Sequence, residues 1–212
     1  MKREVLALCA GQARSFRDDD LSAIAKQPVE GPVRILGDGL APDEQADRSV
    51  HGGPEMALHL YPADHHAFWR EKLGDTALLN QPGAFGSNLF VKSLTETDVH
   101  IGDRFRLGSA LIEISQPRQP CWKIEHRFGQ KGMVAAIIQS NRCGWYFRVI
   151  EEGSAQAGDT LERTERGQES WNVARTFAAL IAGKGTQEEL RELTQMEQLA
   201  PKLRAKASAK LS

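Results

Sequence analysis

This chain is poor in the features that assign a protein quickly. It holds three cysteines, Cys9, Cys121 and Cys143, odd in number and far apart. No Cys-x-x-Cys pair and no Cys/His cluster of metal-binding spacing occurs, so neither a disulfide scaffold nor a structural zinc site is expected. Charge of one sign is not in excess: 27 Lys and Arg stand against 28 Asp and Glu, a formal net of −1. Without a basic footprint, a nucleic-acid polymer is not an expected partner. No apolar run is long enough to span a bilayer, and Met1-Lys2-Arg3-Glu4-Val5 lacks the apolar core of a signal peptide. No membrane association is expected, and the cytoplasm is the expected compartment. A Walker loop, a Gly-x-Ser-x-Gly elbow and a Rossmann fingerprint are all missing, which argues against nucleotide hydrolysis, serine hydrolysis and pyridine-nucleotide binding.

What is present reads as two textures in 212 residues. The first 165 or so carry many short strand-like runs punctuated by Gly, Pro and Asp. Val33–Leu36, residues 57–61, residues 111–114 and residues 145–150 are strand candidates. Ile101-Gly102-Asp103-Arg104-Phe105 and Ala157-Gly158-Asp159-Thr160-Leu161 each set a Gly-Asp turn before a short strand, as in a barrel or sandwich with tight corners. A helix is expected over residues 62–73, with Pro62 at its first position, Gly74 as its stop and Phe68, Trp69 and Leu73 facing inward. Another short helix is expected over residues 133–139. From about residue 168 the periodicity becomes helical. Residues 169–182 place Val173, Phe177, Leu180 and Ile181 on one face, Gly183-Lys184-Gly185 ends the run, and Thr186-Gln187-Glu188-Glu189 has the form of a capping box. Pro201 starts or interrupts a third helix. Helices of this size cannot build a core alone, so they are expected to fold back onto the barrel or onto a partner chain, with a homodimer as one possibility. The expected division is a β domain over residues 1–165 and a helical subdomain over residues 166–212.

Four segments carry candidate chemistry. The first is Gln116-Pro117-Arg118-Gln119-Pro120-Cys121, after a strand-like run. Its prolines predict a stiff turn rather than a ladder partner. The turn presents a guanidinium, suited to phosphate, and a thiol, which as thiolate is a nucleophile and a soft metal ligand. The second is Val50-His51-Gly52-Gly53, where a Gly pair permits close backbone approach and an anion nest, and His51 is placed to donate; an ordinary loop with a surface histidine is the plainer reading. The third is Gly83-Ala84-Phe85-Gly86-Ser87-Asn88-Leu89. Asn88 offers a donor and an acceptor to the edge of a pterin or base, Gly86 permits backbone contact, and Phe85 either meets the ligand or plugs the barrel end. The fourth is Lys26 before Gln27-Pro28, within reach of a phosphate or simply solvated. Adjacent His65 and His66 point in different directions and are read as surface or core-edge residues. His126 follows Cys121 by five positions and is a weaker candidate for proton transfer. Cys9 and Cys143 read as buried and structural.

Taken in order, the Val50-His51-Gly52-Gly53, Gly83–Leu89 and Gln116–Cys121 segments, with Ile101–Phe105 between the last two, resemble the MOSC domain, and with the late helices the whole chain is similar to its YiiM-type subfamily. The resemblance implies a closed antiparallel β-barrel of the pyruvate-kinase β-barrel-like type with a three-helix appendage. It implies a molybdenum cofactor, a molybdopterin whose Mo is ligated by Cys121. Lys26, His51, Gly52, Gly53, Phe85, Gly86, Asn88 and Arg118 are then the expected cofactor-binding residues, with His51 also the first candidate for proton delivery. The implied activity is reduction of N-hydroxylated compounds, including N-hydroxylated purine analogues, by oxygen-atom removal. Because the chain lacks flavin, haem and iron–sulfur motifs, electrons are expected from a separate flavoprotein or redox chain. Two other readings use the same residues: a sulfur-transfer protein carrying a persulfide on Cys121, and a non-catalytic molybdopterin carrier.

Overall fold

The computed structural model describes residues 1–18, 20–46 and 52–211. Thirteen strands are described: β1 (Lys2–Ala10), β2 (Arg14–Arg17), β3 (Asp20–Ser22), β4 (Gln27–Pro28), β5 (Val33–Leu36), β6 (Gly39–Leu40), β7 (Leu58–Pro62), β8 (Leu89–Val91), β9 (Arg104–Leu107), β10 (Ala110–Pro117), β11 (Trp145–Glu151), β12 (Gly153–Ala155) and β13 (Thr160–Glu165). Seven of them close a ring in the order β1-β13-β9-β10-β11-β7-β8, with β8 returning to β1. Closure removes exposed sheet edges. The expected closed barrel is therefore present, with one refinement: β7 and β8 pair in parallel. Parallel neighbours need a long crossover. It is supplied here by α1 (His65–Leu73) and a 3₁₀ turn at Ala77–Asn80.

Both Gly-Asp corners lie where expected. Gly102 (φ 83°) and Gly158 (φ 91°) adopt left-handed backbone immediately before β9 and β13. Three local expectations are corrected. Pro62 does not open α1; it is the last residue of β7, opposite Val91, and the helix begins only at His65 behind Asp64. Pro117 is a ladder partner, facing Trp145 at the end of β10, because a strand terminus tolerates proline where an interior rung would lose a donor. The first late helix, α4 (Val173–Leu180), is shorter than the pattern suggested, since the Asn172 side chain accepts from Arg175 N and caps it there.

Helices α2 (Lys123–Phe128) and α3 (Met133–Ser140) follow the cysteine turn, and α5 (Gln187–Gln195) and α6 (Pro201–Ala209) complete the chain. The Thr186–Glu189 capping box is formed at α5, and Pro201 is the first residue of α6. These late helices fold back onto the barrel. Val173, Phe177 and Leu180 are fully buried within one apolar core that runs from Val5 to Ala207. β10, with the barrel interior on one face and α4 against it, is buried along nearly its whole length. Polar ties complete the docking: Ala200 N donates to Ser115 O at 3.0 Å, and Arg148 Nη2 donates to Gln198 O at 2.8 Å. Among the described residues no helix is long and apolar enough to cross a membrane.

Candidate active site

A cleft of about 90 Å³ opens at one end of the barrel, where the ends of β7, β10 and β11 meet the chain between β3 and β4. Cys121 and Arg118 line it from the turn after β10, Lys26 and Ile24 from the opposite wall, and His59 and Tyr146 from adjacent strands. The sequence order of the motifs thus becomes proximity through barrel closure.

Arg118 is buried, and its backbone N donates to Gly144 O at 3.1 Å, which fixes where the turn leaves β10. Its guanidinium charge acts on the nearby Tyr146 phenol, and burial pushes that phenol up from its ordinary range and keeps it protonated. Cys121 is half-buried at the cleft. The helix after it is clasped by the β2–β3 hairpin. His126 Nε2 donates to Phe16 O at 2.9 Å, Lys123 Nζ donates to Leu21 O at 3.0 Å, and the Arg17 guanidinium lies 3.9 Å over the Trp122 ring. His126 is therefore committed to holding that hairpin.

Lys26 is buried and paired with Asp43. Burial lowers its ammonium pKa and Asp43 raises it again. Asp43 also accepts from Gly11 N at 2.7 Å and from Asn88 Nδ2 at 2.8 Å. Asn88 uses its remaining groups on Cys9 O and His59 N, at 3.1 and 3.0 Å, so both ends of its amide serve the protein. Gly86 (φ 73°) lets the Ile24 wall approach: a Cβ there would lie 2.8 Å from Ile24 Cγ1.

Phe85 does not reach the cleft. It stacks on Tyr61 at 4.0 Å between ring centroids and touches Trp69 and Phe128, plugging the barrel end. Gly52 is buried, and Gly53 donates its N–H to Gln45 Oε1 at 3.1 Å, so this amide is turned to a side chain. His51 lies outside the described residues. His65 and His66 are buried, against expectation: His65 Nε2 meets Glu96 Oε2 at 2.7 Å, and His66 Nδ1 donates to Leu79 O at 2.9 Å. Facing different ways, each finds its own internal partner. Cys9 and Cys143 are buried as expected, and burial raises the Cys9 thiol to about 12.

Sequence reasoning missed His59, Asp43 and Tyr146. The only hint for His59 was its place between Leu58 and Leu60, an imidazole inside an apolar strand. Its ring is buried, Nδ1 donates to Gly86 O at 3.2 Å, and Nε2 has no partner.

The donor set fits the anionic, metal-bearing end of a cofactor. Among the described residues no three His, Cys, Asp or Glu side chains group as a metal cage. A metal here would take one protein thiolate and draw its other ligands from a cofactor. The buried Arg118 fork suits a phosphate or oxo anion. The described wall stops at Ala46 and resumes at Gly52.

The MOSC domain family model matches residues 47–162. This chain is a MOSC-domain protein. Its relatives place it with the YiiM-type members. It is 42% identical over 179 residues to the uncharacterized protein YflK of Bacillus subtilis (82% of this chain, 80% of that one) and 39% identical over 156 residues to protein YiiM of Escherichia coli (74% and 70%). It also matches a protein named reductase from Gibberella moniliformis at 37% identity, across 82% of this chain but 31% of that longer protein. The crystal structure of YiiM from Geobacillus stearothermophilus superposes with a TM-score of 0.84 at 28% identity, covering 99% of this MOSC-domain protein and all of that one.

Proposed function

We propose that this MOSC-domain protein is a molybdenum-cofactor-dependent oxidoreductase that reduces N-hydroxylated compounds, N-hydroxylated purine analogues among them. The observation that carries the reading is the pairing of a half-buried Cys121 thiol with a buried Arg118 guanidinium on one small cleft. When bound, the cofactor supplies the two-electron redox chemistry. Cys121 Sγ is the protein ligand to its metal, and Arg118 holds an anionic group of the cofactor. Lys26, compensated by Asp43, contributes a buried dipole to that wall.

The reaction is R–NHOH + 2e⁻ + 2H⁺ → R–NH₂ + H₂O. The N–O bond breaks, and the electrons come from a separate flavoprotein or redox chain. Proton delivery is assigned to His51, because an ordinary imidazole titrates near neutrality. His59 does not serve that role. Its one N–H is held by Gly86, and burial pushes its pKa well below the ordinary 6.5.

The test uses protein from a molybdenum-replete host. Wild type is expected to carry stoichiometric Mo and to reduce 6-hydroxylaminopurine with an artificial electron donor. Cys121→Ser loses the metal and the turnover, and His51→Ala keeps the metal and loses rate. Retention of Mo by Cys121→Ser would sink the proposal. Bound sulfane sulfur without Mo would favour a persulfide carrier, and tight cofactor without turnover a cofactor carrier.

A further inference from the structure

Arg118 leaves the chain where the β10–β11 ladder runs short of donors. Pro117, opposite Trp145, has no N–H to give, and the register has already shifted between Ile114 and Gln116. The next tie is Arg118 N to Gly144 O at 3.1 Å. Gly144 is itself held from behind, because its N–H donates to Glu96 Oε1 at 2.6 Å, across 48 positions of sequence. Two residues earlier, the Tyr61 hydroxyl donates to Arg142 O at 3.2 Å and accepts from Trp69 Nε1 at 2.6 Å. The corner has no slack: Gly144 stands at φ 68°, and a Cβ there would lie 2.4 Å from Leu60 O. Glu96 is 3% exposed, and its other oxygen, Oε2, meets His65 Nε2 at 2.7 Å, so both carboxylate oxygens are used. Its backbone O accepts from Ala174 N in α4 at 3.1 Å, which ties the same residue to the late helices. A buried carboxylate is costly to place and directional once paired, and here one of its bonds fixes an amide at the root of the Arg118 turn.

We propose that Glu96 is a positioning residue for Arg118: by holding Gly144 it sets where the guanidinium stands in the cleft, and so how tightly the cleft takes an anionic group. Glu96 does not line the cleft; it acts through two backbone bonds, one to each side of Gly144. Arg118 is buried in a close-packed surround, so a shift of the backbone at its root moves the charge and is not absorbed by the side chain. A planar fork binds an anion only when its direction is right, which makes the position of its root matter. This inference rests on the reading of Arg118 as the residue that holds the cofactor's anionic group, and it names what holds Arg118.

The experiment measures calorimetric binding of inorganic phosphate to the cofactor-free full chain. Glu96→Ala, which leaves the Gly144 amide without its acceptor, is expected to weaken phosphate roughly five- to tenfold, the scale of coupling between linked groups. Glu96→Gln keeps an oxygen for that amide and is expected to stay within about twofold of wild type. In an Arg118→Lys background, where a flexible stem tolerates a displaced root, the effect of Glu96→Ala is expected to shrink to about twofold or less. Unaltered phosphate affinity in Glu96→Ala overturns the proposal. An equal loss in both backgrounds also overturns it, since the damage would then be general, and so does a Glu96→Gln chain as weak as Glu96→Ala. Should Glu96→Ala fail to fold, or Arg118→Lys lose phosphate altogether, amide exchange in the wild type decides. By reciprocity phosphate must slow exchange at Gly144, and an unchanged rate overturns the proposal. Absence of phosphate binding in the wild type overturns it as well, and leaves the reductase reading to its own test by Mo content. Coupled phosphate binding in a protein that takes up no Mo would remove the reductase reading and leave the role of Glu96 standing.

Discussion

Asp43 shows how much of the site hangs on single side chains. One carboxylate satisfies the buried Lys26 ammonium, the Gly11 amide and the Asn88 amide, and through Asn88 it reaches the backbone of His59. Charge and hydrogen-bond partners are thus all internal, as burial requires. The histidines show the same logic in a form that pH reads out. Burial lowers the pKa of His59 and of His66 below the ordinary 6.5. Below about 6.5 the unfolded chain takes up protons that the folded chain refuses. The stabilisation is therefore complete above that value and drains away as pH falls toward the folded-state values. The urea midpoint of the cofactor-free protein is expected to be flat from pH 8 to 7 and to fall from pH 6.5 to 5; a midpoint constant to pH 5 would contradict the assignment. None of this was legible residue by residue. His59, Asp43 and Tyr146 occupy no motif, and their roles depend on partners 29, 17 and 28 positions away in sequence, at Asn88, Lys26 and Arg118.

Among elements, the loops that approach closely are the sensitive ones. Gly86 combines left-handed backbone with a Cβ position 2.8 Å from Ile24 Cγ1, and Arg127 Nε holds the same loop by donating to Ala84 O at 2.7 Å. Gly86→Ala is expected to cost about 1–2 kcal/mol from backbone strain alone and to push the Ile24 wall into the cleft. Chemical denaturation checks the first, and a loss of cofactor occupancy larger than the loss of stability checks the second. Element types were mostly legible, because turn glycines, caps and alternation are local signals. The capping box at Thr186 and the start of α6 at Pro201 fell where the pattern put them. Ends were misplaced where a long-range partner decided them. Val91 extends β7 through Pro62, and Trp145 extends β10 through Pro117.

For the molecule as a whole, the late helices and the barrel share a single apolar core. Phe177 is fully buried in it, and Arg148 ties the two parts by donating to Gln198 O, Glu113 and Glu55. Phe177→Ala is expected to cost about 3–5 kcal/mol and to shift one cooperative transition. Two separate transitions in calorimetry, with the barrel unaffected, would show that the helices are an independent unit. The connection also reaches the site, since Glu55 directly follows the Gly52-Gly53-Pro54 segment and Lys206 Nζ donates to Gln119 Oε1 in the cysteine turn at 3.0 Å.

Sequence alone determined the chemistry on offer: a thiol and a guanidinium beside prolines, glycines at corners, strands first and helices after. These are properties of neighbours along the chain, carried by fixed φ angles, side-chain alternation and caps. Tertiary structure alone decided which groups share the cleft, that Phe85 plugs the barrel and stays out of the cleft, that one strand pair runs parallel, and that the nitrogen at position 59 is left without a partner. Those outcomes depend on ring closure, which brings together strands far apart in sequence, and on burial, which sets the protonation of every group it encloses.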